Sequence, residues 1–155
     1  MRKLAALVAT ALGFVLMLPS AALAAPTPQA ARSPVVIHEI FYNSPGPDNG
    51  SNASLNAEWV QLHNRSGHRV TLTHWTVRDA AGHVYTFGKY VLKTHAFVRI
   101  HTGRGTNTTA NRFWGSRAYI WNNDGDTATL KNAQGVRKSR CSYSDPSESH
   151  AFKIC

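Results

Sequence analysis

Acidic side chains are scarce: the 155-residue chain carries 8 Asp and Glu against 17 Lys and Arg, a formal charge of +9 at pH 7 with histidines neutral. So few carboxylates make a two-metal hydrolase hard to assemble, because such centres need several oxygen ligands converging on each cation. Cysteine is scarcer still. The only two, Cys141 and Cys155, lack the Cys-x-x-Cys spacing of a redox motif and any Cys/His zinc pattern. The apolar run Leu4 to Leu18 is 15 residues long, short of the roughly 20 that a bilayer-spanning helix needs, and no later segment is long enough either. Also missing are the Gly-x-Ser-x-Gly elbow, the His-Glu-x-x-His pair, the phosphate-binding P-loop and the dinucleotide fingerprint. These absences leave no catalytic residue, metal or cofactor to nominate, and they make binding the default expectation.

Met1-Arg2-Lys3, the apolar run behind it and Ala22-Leu23-Ala24 together read as a secretory signal peptide over residues 1–24. A cut there leaves 131 residues, enough for one domain with its own core. It also removes Arg2 and Lys3, so 15 basic residues face 8 acidic ones and the mature charge is +7. A secreted location is expected, with no transmembrane segment in the mature chain. In an oxidising compartment Cys141 and Cys155 should pair, closing a 15-residue loop and pinning Ser142 to Ile154 against the domain.

Residues 25–34 hold three prolines and no large apolar side chain, the composition of a flexible leader. From 35 to 155 short runs rich in Val, Ile, Thr and aromatics alternate with Gly, Asn and Asp turns, which predicts an all-β domain of seven to eight antiparallel strands packed as a sandwich. The strands are expected at 35–42, 58–64, 70–79, 84–87, 96–101, 118–121, 127–131 and 136–143. Alternation puts Val60, Leu62, Val98 and Ile100 in the core, with Gln61, His63, Arg99 and His101 outside. Ala80-Ala81-Gly82 and Asn123-Asp124-Gly125-Asp126 read as hairpin turns. Ser44 to Asn56 is a long connection for so small a domain, and loops of that length are either disordered or functional.

Several segments resemble the lamin tail domain in order and spacing. They are Ile37-His38-Glu39-Ile40-Phe41-Tyr42-Asn43, Leu55-Asn56-Ala57-Glu58-Trp59-Val60-Gln61-Leu62-His63-Asn64, Val70-Thr71-Leu72 leading to Trp75, and Tyr85-Thr86-Phe87. The likeness continues through Val98 to Gly105, Trp114 and Ile120 to Leu130. The resemblance implies an immunoglobulin-like β-sandwich of a family that includes secreted bacterial proteins, with an adhesion or targeting role. Nuclear filament formation does not transfer to a chain that carries a signal peptide and no coiled-coil rod.

Charge then nominates the binding residues. Arg99, Arg104, Arg112 and Arg117 surround Gly103, Gly105, Phe113, Trp114 and Tyr119, a mix suited to phosphate contacts and aromatic stacking. Arg137, Lys138 and Arg140 form a second cluster beside Cys141. The expected function is a non-catalytic extracellular module that engages an anionic cell-surface polymer or nucleic acid through these loops. The alternatives are a module that contacts another secreted protein, and a metal-dependent hydrolase. Glu39 and Glu58 are the carboxylates such a hydrolase would use, placed close across adjacent strands, unless Arg65, Arg69 or Arg78 neutralises them. Asn122-x-Asp124-x-Asp126 has half of a calcium loop but lacks its glycine and closing glutamate, so turn chemistry accounts for it. The eight histidines fall one per segment, and His63 and His101 are expected on one outer face, where clustering would allow pH sensing or transition-metal uptake. Asn52, Asn64 and Asn107 fit the N-glycosylation pattern, which matters only in a eukaryotic source.

Overall fold

The computed structural model describes residues 32–155; the expected signal peptide and most of the expected leader lie outside the described residues. Alternating apolar residues build the first layer. Strand β1 (Val35–Phe41) buries Val35 and Ile37, then shifts register between Ile37 and Glu39 so that Ile40 returns to the same face. Strand β2 (Trp59–Asn64) buries Val60 and Leu62, and β7 (Phe97–His101) buries Val98 and Ile100, with Gln61, His63, Arg99 and His101 turned outward as expected. With β8 (Asn111–Phe113) and β11 (Phe152–Ile154) they form a five-stranded sheet of order β11-β1-β2-β7-β8.

The second layer has the order β10-β9-β4-β5, from β4 (Thr76–Arg78), β5 (Val84–Thr86), β9 (Gly125–Lys131) and β10 (Arg137–Ser144). A small ladder of β3 (Val70–Thr71) and β6 (Val91–Leu92) closes one end. The inner faces meet in one core that includes Leu62, Leu72, Val77, Phe87, Trp121 and Leu130. The fold is thus the expected all-β sandwich, with more and shorter strands than expected and with one parallel pair, β7 with β8.

Four departures from the sequence reading have local causes. The single strand expected over 70–79 is two strands in different sheets. Leu72 and Trp75 are three residues apart and would face opposite ways in one strand; a turn with the Trp75 N–H on the Leu72 carbonyl and His74 at φ 65° buries both. The strand expected over 118–121 does not form, because the amides of Ile120 and Trp121 donate to the Glu58 carboxylate instead of to a neighbouring strand. Asn123 to Asp126 consequently turns the chain into β9 without joining two paired strands, whereas the Ala80-Ala81-Gly82 turn does join β4 to β5. The long connection holds a helix, α1 (Asn52–Ala57), capped by the Ser51 hydroxyl accepting from the Ser54 N–H and anchored by buried Leu55.

The disulfide between Cys141 and Cys155 is present, with Cα atoms 5.8 Å apart. It holds the residue after β11 to β10, while the Cys155 N–H donates to the His38 carbonyl of β1. Arg32 to Pro34, counted with the leader, join the domain: the Pro34 carbonyl accepts the Arg65 N–H.

Candidate polyanion interface

Strand direction sorts the charged side chains into two populations. β1 and β10 finish, and β2 and β9 begin, at one end of the sandwich. Seven of the eight carboxylates lie there: Asp48, Glu58, Asp79, Asp124, Asp126, Asp145 and Glu148. Most of them accept backbone N–H groups. Asp79 takes those of Gly82 and His83, Asp126 those of Ala80 and Thr127, and Asp145 that of His150. Those bonds hold the Asp145 carboxyl well below the usual carboxylate range.

The opposite end, where β1 and β10 begin and β2 and β9 finish, has no Asp or Glu. It holds Arg32, Arg65, Arg69, Lys93, Lys131, Arg137 and Lys138. Its turn is closed by a neutral group: the buried Asn64 side chain donates to the carbonyls of His68, Leu92 and Lys93 and accepts the Ser66 N–H. Asn64, at 0 % exposure, is therefore closed to glycosylation. Beside this turn lies an open cavity of about 710 Å³ lined by Arg32, Arg65, His68 and Lys138, with apolar ground from Pro34 and Val36. Among the described residues no arginine or lysine is ion-paired; the charge contacts there are His83 with Asp79 and His150 with Asp145.

The first nominated cluster does not form one patch. The Arg99 guanidinium lies on the outer sheet face, 4.3 Å from the centroid of the Trp59 ring. Arg112 points the other way, 4.2 Å from the Tyr90 ring. Arg104 and Arg117 share a cavity of about 380 Å³ beside α1, at the acidic end; the Arg104 backbone is held there by Asn52 and Asn56. Of the second cluster, all on β10, Lys138 lines the basic cavity, whereas Arg137 and Arg140 are exposed and do not line it. Arg32, Arg65 and His68 were not nominated as binding residues. Arg65 and His68 share one turn but lie far in sequence from Arg32 and Lys138, and the order of β1, β2 and β10 brings the four to one end.

Glu39 and Glu58 are not a pair. Glu39 sits opposite Gln61 and Ile154, whereas Glu58 precedes β2 and is fully buried. One Glu58 oxygen accepts from the Thr102 hydroxyl and the amides of Ile120 and Trp121, and the other has no partner. Burial pushes its pKa up to about 7 against the lowering effect of those bonds, and no arginine among the described residues pairs with it. His63 and His101 do not cluster either. His101 engages Asn56 and Asn111, while His63 stacks on Phe97 at 4.1 Å and lies 5.8 Å from His38. Among the described residues no group of three or more His, Cys, Asp or Glu is arranged to hold a metal. No helix among them is long and apolar enough to cross a membrane.

Residues 28–145 match the family described as Lamin Tail Domain. The chain belongs to the lamin tail domain family. No curated protein matches it. The immunoglobulin-like sandwich expected from the resemblance is the fold of this lamin tail domain, and Arg32, Arg65, His68 and Lys138 of the basic cavity lie inside the matched segment. β11 and Cys155 lie beyond it, so the disulfide attaches an unmatched C-terminal strand to the matched sandwich.

Proposed function

We propose that this lamin tail domain is a non-catalytic, secreted binding module that engages a polymer or surface bearing repeated oxyanions, and that the basic end is the contact surface. The observation behind the proposal is the charge segregation: unpaired cations surround a cavity at an end with no carboxylate, while the carboxylates hold together the other end. A low-dielectric surface of one sign attracts and orients a ligand of the opposite sign. Arg137, Lys138 and Arg140 keep their nominated role in this reading and are joined by Arg32 and Arg65. Arg104 and Arg117, next to the acidic end, contribute less, and Arg99 and Arg112 spend their guanidinium faces on Trp59 and Tyr90. A paired Cys141 and Cys155 suits an oxidising compartment, and with the signal-like start of the chain supports placement among the secreted bacterial members of the family.

The test is adsorption to dextran sulfate, single-stranded DNA and anionic vesicles over a salt series. Binding should weaken steeply with salt. Arg65→Ala and Lys138→Ala should each cost about 1 kcal/mol, roughly fivefold in affinity, and Arg104→Ala with Arg117→Ala markedly less. Absent or salt-insensitive binding overturns the reading. It would favour a protein-contact module instead, for which the exposed edge strand β11, with Phe152 48 % and Ile154 53 % exposed, is the supporting feature.

A further inference from the structure

The basic end also carries imidazoles that simple charge attraction leaves unused. His68 lines the cavity with Arg32, Arg65 and Lys138. His63 stands on the outer face of β2 beside Asn64, and His95 lies in the turn between β6 and β7 at φ 53°. At the acidic end the imidazoles are engaged: His83 with Asp79, His150 with Asp145, and His101 through both ring nitrogens. At the basic end the ring nitrogens of His38, His63, His68 and His95 make no hydrogen bond within the described residues.

We propose that the basic end binds its oxyanion polymer with uptake of protons on His63 and His68, so that affinity rises as the medium becomes mildly acidic. The proposal rests on the reading of that end as the polyanion surface and adds to it a linkage to pH. The charged and titratable groups around the two imidazoles come from five places: Arg32 from the segment before β1, His38 from β1, Arg65 from the turn after β2, His95 from the turn before β7, and Lys138 from β10. The nearest carboxylate along β1, Glu39, stands opposite Gln61 rather than His63, whose cross-strand partner on β1 is Val36.

The surroundings of His63 are therefore positive. Burial, followed by the charges of His38, Arg65 and His95, holds its pKa below the ordinary value of 6.5. An anion seated among the same cations reverses the sign of that field and favours the imidazolium. Linkage then requires that whatever makes the proton bind better also makes the anion bind better at lower pH.

Dextran sulfate is the probe, because its sulfate esters keep their charge across the window and any pH dependence belongs to the protein. The full chain is titrated at constant ionic strength at about pH 7.5 and about pH 5.5. Calorimetry in two buffers of different ionisation enthalpy counts the protons. The expected result is roughly tenfold tighter binding at the lower pH, with net proton uptake between the two, and a loss of most of that dependence in the double variant His63→Gln, His68→Gln. The proton count on the unaltered protein stands even if the variant misfolds. Salt-sensitive binding of equal strength at both pH values, without proton exchange, overturns the linkage and leaves the polyanion surface standing. No binding at either pH overturns both.

Discussion

The two ends of the sandwich solve the same structural problem with opposite chemistry. Each must terminate strands and satisfy backbone groups that the ladders leave open. The acidic end uses charge: Glu58, Asp79, Asp126 and Asp145 collect N–H groups from the loops around them. The basic end uses an amide, Asn64, which collects three carbonyls. Carboxylates only accept, and so suit a set of orphan donors, while an amide can donate to orphan carbonyls without bringing a charge. The difference separates architecture from recognition. Negative charge is committed to holding loops, and positive charge is left at the surface with nothing in the described residues to pair it.

The largest effect should come from the acidic end. Glu58→Ala strands the amides of Ile120 and Trp121 and the Thr102 hydroxyl in the interior, and should cost about 3–5 kcal/mol by denaturant unfolding. Provided the variant is studied below its unfolding transition, its affinity for dextran sulfate should be unchanged, because Glu58 is remote from the basic cavity. Equal losses of stability and binding would break the distinction between the ends.

Glu58 also gives that end a pH signature. Its folded pKa, about 7, lies above the 4.5 of the free carboxyl, so between these values the native state binds more protons than the unfolded chain. The contribution is complete below about pH 4.5 and is lost as pH rises toward 7, with a total of no more than roughly 3 kcal/mol. Asp145 runs the opposite way. Its lowered pKa contributes stability above 3.8 that disappears on further acidification. His63, with its lowered pKa, opposes Glu58 as pH falls through 6.5. The Glu58 share is isolated by subtracting the stability profile of Glu58→Gln from that of the parent. A flat difference between pH 4.5 and 7 would show that the carboxyl ionises freely in the folded protein.

Much of the sandwich was legible because alternation is a local signal. Val60-Gln61-Leu62-His63 and Val98-Arg99-Ile100-His101 state their own faces, and Ala80-Ala81-Gly82 states its turn. What failed depended on partners elsewhere in the chain. Ile120 and Trp121 look like a strand until Glu58 takes their amides, and Leu72 to Trp75 looks continuous until both side chains need the same core. The proposed binding surface is half legible for the same reason. Lys138 could be nominated from the run Arg137-Lys138-Ser139-Arg140, but Arg32 and Arg65 carry no local mark, and only strand order places them together. Arg99 and Arg112 do not share a patch, because residues along a strand alternate faces and these two fall on opposite ones. Arg99 pairs with Asn111 on the outer side, while Arg112 sits beside Ile100 on the inner one.

Asn64 is the residue through which the basic end can be tested without touching its charge. Its amide nitrogen lies 2.7 Å, 3.3 Å and 2.9 Å from the carbonyls of His68, Leu92 and Lys93, and its oxygen accepts from the Ser66 amide and hydroxyl. Asn64→Ala removes all of these, but several of the groups are near enough to the surface to find water, so the cost should be about 2 kcal/mol. That is smaller than the Glu58→Ala loss. The consequence for binding should be larger, because Asn64 makes more of the side-chain hydrogen bonds that hold the turn carrying Arg65 and His68 than any other residue, the rest being those of Ser66 and Thr94. Dextran sulfate affinity should fall several-fold even though every cation remains. Asn64→Asp keeps the acceptor, loses the donors and adds a negative charge at the acid-free end, so it should weaken binding further. If Asn64→Ala loses stability but keeps full affinity, the cations act as a diffuse coat, and the cavity geometry contributes nothing to recognition.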